Sequence, residues 1–138
     1  VSAQSKNPGM GTWKLNLEKS KYSPGPAPKS LTATFEPVGK GVKLTTEGIS
    51  ADGKPTATGY TANYDGKDVP LKGSPLADTV SLKRVDALTT TRTDKKDGKV
   101  VVTYKRVVAK DGKSFTVAIK GKNPKGEPFN NFLAFDRQ

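Results

Sequence analysis

Apolar and polar residues alternate along most of this chain. Trp13, Leu15 and Leu17 are separated by Lys14 and Asn16, and Leu31, Ala33 and Phe35 by Thr32 and Thr34. Val42 and Leu44, then Tyr60, Ala62 and Tyr64, then Val80 and Leu82 continue the series. Phe115, Val117 and Ile119 repeat it, and residues 129–135 close it. A period of two puts successive side chains on opposite faces of an extended strand, with one face turned to a core. Residues 100–108 are partly apolar on both phases, which predicts a central strand covered on both sides. No segment carries a helical stripe. Pro24, Pro26 and Pro28 exclude a helix from residues 18–29, so that stretch reads as a long extended connection between the first two strands.

The breaks between these runs repeat one word. Asp-Gly-Lys begins at Asp52, Asp65, Asp97 and Asp111. Asp-Gly tolerates the positive φ of tight turns, so each copy marks a chain reversal. Gly39-Lys40-Gly41 and residues 123–126 add two more, and Asp86-Ala87 a weaker one. Strands spaced about ten residues apart by short turns predict an all-β chain with a single antiparallel up-and-down β-barrel of about 8–10 strands. A β-sandwich is the structural alternative. Barrel closure is favoured because a flat sheet of this length would leave bare edges and one apolar face in water. Residues 1–9 read as a flexible leader and residues 10–138 as one barrel domain.

Composition narrows the chemistry. Among 138 residues there is no Cys and no His. Thiolate nucleophiles, disulfides, imidazole bases and soft transition-metal sites are therefore excluded, and no metal or cofactor is expected. No apolar run approaches the ~18 residues of a membrane helix. With 24 Lys+Arg against 13 Asp+Glu the chain carries +11. The lysines are scattered through nearly every turn, without a dense basic block or a nucleic-acid motif, so no specific nucleic-acid partner is expected. Val1-Ser2-Ala3 has the small-x-small form that precedes a signal-peptidase cut, which makes export, periplasmic or secreted, the expectation.

Several features come in a telling order. Gly11-Thr12-Trp13 opens the first strand, a long irregular connection follows, then a run of hairpins, and Arg137 ends the last strand. This layout resembles the calycin superfamily: lipocalins, intracellular fatty-acid-binding proteins and small lipocalin-like bacterial barrels. The resemblance implies that Trp13 packs across a closed barrel bottom beside Arg137, and that the barrel is a cup for a small ligand. It names no ligand. The proline-rich segment departs from the fatty-acid-binding proteins, which place two helices there, and the carboxy-terminal helix of lipocalins is missing.

The four arginines are the sharpest site signal. Arg84 is in phase with Val80 and Leu82, Arg92 with Leu88, Arg106 with Val102 and Val108, and Arg137 with Leu133 and Phe135. All four thus fall on the apolar phase, while Lys14, Lys43, Lys83, Lys105 and Lys120 fall on the other. A buried guanidinium needs a partner, and its planar fork suits a carboxylate or phosphate. Inward acidic residues look scarce, since Glu36 and Glu47 read outward and most Asp stand in turns. One reading gives Arg84, Arg92 and Arg106, with Tyr104, Tyr60 and Tyr64, to the acidic head of a ligand, between walls that include Phe35 and Phe115. The other has the arginines at the rim, paired with Asp68, Asp78 or Asp136, and Arg137 capping Trp13. Tyr22 is placed as a lid over the mouth. One amide of Asn130-Asn131 must face inward and find a partner.

The expected function is non-enzymatic binding of a small apolar or amphipathic, acidic ligand by a monomer. Two alternatives stand beside it. One is a basic exported protein that binds an anionic surface or polymer. The other is a calycin-type isomerase or cyclase, which would have only Tyr, Lys and carboxylates for acid–base work.

Overall fold

The structure, a computed structural model, describes residues 9–138. The segment read as leader lies outside them except for Gly9, which is buried. Eleven strands run in chain order: β1 (Gly11–Leu15), β2 (Lys21–Ser23), β3 (Ser30–Val38), β4 (Gly41–Ile49), β5 (Pro55–Ala62), β6 (Val69–Pro70), β7 (Thr79–Arg84), β8 (Thr89–Lys96), β9 (Lys99–Val108), β10 (Ser114–Lys122) and β11 (Pro128–Arg137). All pairings are antiparallel. The order is β5-β4-β3-β1-β11-β10-β9-β8-β7-β6, with β2 also on β11. The meander thus curls into a nearly closed barrel, as the alternation predicts, and not into a sandwich.

The seam is the weak point of the wall. Gly59 of β5 and Lys72, just past β6, exchange backbone hydrogen bonds of 3.1 and 2.9 Å. Gly73 lets the chain turn away: its φ is +82°, and a Cβ there would overlap the carbonyl oxygen of Ala57. The hairpins behave as their turn residues demand. Lys96 faces Lys99 across Asp97 and Gly98, whose φ values are 51° and 80°. Both central residues with positive φ make the turn whose twist matches that of the flanking strands.

Two expectations are corrected. The proline-rich connection is not irregular throughout. It holds a single 3₁₀ turn (Leu17–Lys19), started by the Asn16 side chain, and then β2. β11 is long enough to pair with β1 through Phe135–Arg137 and with β2 through Asn130–Phe132. Leu17 consequently leaves the inner face and is exposed. The second correction is β9, which is central in the sheet yet covered on one face only. The register shift between Asp94 and Lys95 turns Val100 out of the phase of Val102. Val100 and Val107 stay exposed because the described residues form no α-helix to cover them, whereas Val102 and Val108 are buried.

Inside, aromatic rings organise the narrow end. Trp13 is 0% exposed. Its ring meets Phe115 edge-on at 4.8 Å; Phe115 stacks on Phe135 at 4.7 Å and meets Phe35 edge-on at 5.8 Å. Each such pair contributes about 1 kcal/mol beyond the burial of its area. This ring cluster is the floor on which the candidate site is built.

Candidate functional site

The sheet register sets two of the four arginines, Arg92 and Arg106, on the inner side in different surroundings, and it separates their roles. Arg92 on β8 lies opposite Tyr104 on β9, and Arg106 on β9 lies opposite Thr90 on β8. The two guanidinium groups therefore stand on neighbouring strands, diagonal to each other.

Arg92 is satisfied by protein. Its Nε and Nη2 donate to the two carboxylate oxygens of Asp94 at 2.7 and 2.9 Å. The side chains are 17% and 2% exposed. The guanidinium also lies 4.2 Å from the Tyr104 ring centre and 5.0 Å from that of Tyr60. Burial alone would push Arg92 down, but Tyr104, Tyr60 and Asp94 together hold it above its usual range. The same burial pushes the Tyr104 phenol up to about 12 and raises Tyr60 as well, so both stay neutral donors at physiological pH. Asp94 contradicts the expectation that inward acids are scarce. It is two residues from Arg92, hence on the same face of β8, and that spacing was the signal available to find it.

Arg106 has no carboxylate partner among the described residues. Its guanidinium carbon sits 3.7 Å from the Phe35 ring centre, 4.1 Å from Phe115 and 5.9 Å from Trp13. Nη2 donates to the Gly9 carbonyl at 2.6 Å. Nε is buried and finds no acceptor among the described residues, and neither does Trp13 Nε1. Burial pushes the guanidinium down to about 10, which leaves it charged at neutral pH. Two unmatched N–H donors, one of them cationic, thus stand in an aromatic floor. A buried donor without an acceptor costs about 1–3 kcal/mol.

The remaining predicted residues fall elsewhere. Arg84 is exposed at the end of β7, with its guanidinium 4.2 Å over the Tyr64 ring; it is a rim residue and not a lumenal one. Arg137 is also exposed. It lies 4.2 Å over Trp13 and donates to the carbonyls of Met10 and Gly112 at 2.8 and 2.6 Å. Trp13 is therefore flanked by Arg137 and Arg106. Tyr22 is a wall residue: β2 pairs it with Asn131, and it packs half-buried on the core, with its phenol pushed up to about 12 by burial. Strand pairing, which the prolines concealed, holds it there. Asn131 is the inward amide, and its Oδ1 accepts from the Ser23 N–H at 3.1 Å.

The expected acidic partners are engaged otherwise. Asp68 pairs with Lys95 at 3.1 Å, Asp78 accepts from the Asp97 N–H at 3.3 Å, and Asp136 accepts from the Asn16 amide at 3.0 Å. A cleft of about 320 Å³ opens at the seam beside Leu44, Tyr60, Pro70 and Lys72. It brings solvent to a residue of the inner wall. Among the described residues there is no group of three or more acidic side chains placed to hold a metal ion.

No protein-family profile matches the sequence, and no curated protein does. Solved structures do match in shape. The crystal structure of Rv2717c from M. tuberculosis aligns with a TM-score of 0.60 at 16% identity, over 98% of this chain and 96% of that one. Lobster apocrustacyanin A1 aligns with a TM-score of 0.53 at 13% identity, over 99% of this chain and 64% of that one. Both share the nearly closed antiparallel β-barrel fold of this chain. Identities this low establish architecture alone.

Proposed function

We propose that this protein is a non-enzymatic binding protein that holds a small amphipathic molecule with its acidic group toward Arg106. One observation carries the reading: a guanidinium buried between Phe35 and Phe115, with a free Nε and no carboxylate among the described residues. An anionic oxygen near Nε would supply the missing acceptor, and Trp13 Nε1 offers a second donor. Phe35, Phe115, Tyr60 and Tyr104 would face the apolar part of the ligand. Arg92 is removed from the head-group role because Asp94 occupies its fork. Arg84 is removed because it lies at the rim. That apocrustacyanin A1 shares the barrel is consistent with a small-molecule cup.

The test compares a medium-chain fatty acid with the alcohol of equal length, titrated into the protein while Trp13 fluorescence is followed. The acid is expected to bind at least about tenfold tighter, as a charge-assisted hydrogen bond contributes about 1.5–3 kcal/mol. Arg106→Met should abolish that preference and leave the alcohol unaffected. An acid preference that survives the substitution would overturn the assignment.

A further inference from the structure

Four of the lysines that look scattered in sequence are gathered by the register onto one half of the outer wall. Following the cross-strand pairs from β7 to β2, one transverse row reads Lys83, Thr91, Lys105, Ala118, Phe132, Lys21. The adjacent row reads Ser81, Thr93, Thr103, Lys120, Asn130, Ser23. The two rows hold four lysines and no acid between β7 and β2; one acid, Asp65, is bridged to Lys83 at the β7 end of the first. Phe132 lies exposed among them. Among the described residues the ion pairs are Arg92–Asp94 and Lys95–Asp68, so these four lysines are in none. The opposite half of the wall is different. There Lys14 stands in a row with Glu47 and directly opposite Asp136, and Lys43 lies directly opposite Glu36, so acids at least match the lysines in those rows.

We propose that the β2 and β7–β11 half of the outer wall is a second binding surface, for a linear acidic polysaccharide, independent of the lumen. Charge complementarity requires a polyanion. Shape then selects the kind. The row crosses six strands at ~4.8 Å spacing, an arc of about 24 Å. It covers five of the ten places in the barrel order and continues onto β2, so it wraps about half the barrel and no plane follows its whole length. A flexible chain can follow this curve, whereas a bilayer would meet only a strip of it. A single-stranded nucleic acid binds through several aromatic platforms for successive bases, and these rows offer one. Phe132 instead gives a sugar ring one apolar face to stack on. The Thr, Ser and Asn positions between the lysines match sugar hydroxyls. Lysine rather than arginine is the outer cation, which suits diffuse pairing with carboxylates spaced along a polymer.

The experiment measures binding of a polyuronate oligosaccharide to the intact protein over a range of salt, with a neutral glucan as control. Lys105→Glu with Lys120→Glu should weaken binding at least about tenfold and flatten its salt dependence. Lys14→Glu with Lys43→Glu, the same charge change on the opposite half, should change it less than about twofold. Phe132→Ala should weaken binding without altering the salt slope. Thermal midpoints confirm that each variant folds. Equal losses from the two double variants would overturn the proposal, because net charge alone would then explain retention. Tighter binding to a single-stranded oligonucleotide, or to vesicles rich in anionic lipid, would overturn it in favour of those partners.

Discussion

Arg92 and Arg106 occupy the same inner face of adjacent strands, yet their surroundings are opposite. Around Arg92 the chain itself provides the counter-charge, two phenols and a bidentate geometry. Around Arg106 it provides rings, one backbone carbonyl, and a donor with no acceptor among the described residues. The first arrangement is complete in the absence of a ligand and therefore reads as structure. The second leaves an N–H without an acceptor among the described residues, the place our proposal gives to a ligand. Burial of a cation thus does not by itself mark a binding site; the state of its hydrogen-bond inventory does.

The largest effect should come from breaking the complete arrangement. Asp94→Ala leaves the Arg92 cation buried and unpaired, and should lower unfolding free energy in denaturant titrations by about 3 kcal/mol. The double variant Arg92→Met with Asp94→Leu should recover most of that loss. A loss below about 1 kcal/mol from Asp94→Ala would show that the pair is not the structural element described. Arg106→Met sharpens the contrast from the other side. It removes one hydrogen bond, to Gly9, and the cation–π contacts with Phe35 and Phe115, but also the burial cost of a charge with no carboxylate among the described residues, so stability should change by no more than about 1 kcal/mol. A collapse of the fold in this variant would assign Arg106 to structure as well. Arg137→Gln is smaller still. It removes a partly solvated cation–π contact contributing about 0.5–1 kcal/mol. The emission of Trp13, the single tryptophan, should shift as its cap is lost.

The last effect is nil at neutral pH and grows only in alkali. Burial pushes Tyr22 and Tyr104 up to about 12 and raises Tyr60 too, whereas an unfolded phenol ionises near 10. Between about pH 10 and 12 the unfolded chain has released these protons and the folded chain has not, so stability falls as pH rises through that window. Arg106, pushed down to about 10, works in the opposite direction, as one group against three. Tyrosinate absorbance followed from neutral to high pH should therefore show these phenols ionising late, close to unfolding. Ionisation of all of them near 10 with the fold intact would contradict the burial of both clusters.

Much of the barrel was legible in the residues. The period of two, the Asp-Gly turns and the placement of Arg and Lys on opposite phases are local properties, decided by backbone geometry and by which face a side chain can leave in water. So was the inward direction of Phe35, Tyr60, Tyr104 and Phe115. Other features were hidden because they need two distant segments at once. β2 forms only because β11 runs past the end of β1 and offers it an edge. The outside of β9 is bare because the described residues form no α-helix to cover it. Whether an inward arginine is free was decided by which strand neighbours meet it. Asp94 takes Arg92 from two residues away, while Arg106 is met by Phe35, Phe115 and Gly9, brought from elsewhere in the chain. The lysine rows have the same origin, since only the register sets Lys105, Lys120 and Lys21 near one another. Alternation is a one-strand property and can be read from a string of residues; hydrogen-bond satisfaction and charge density belong to contacts between strands, and those exist only once the sheet has closed.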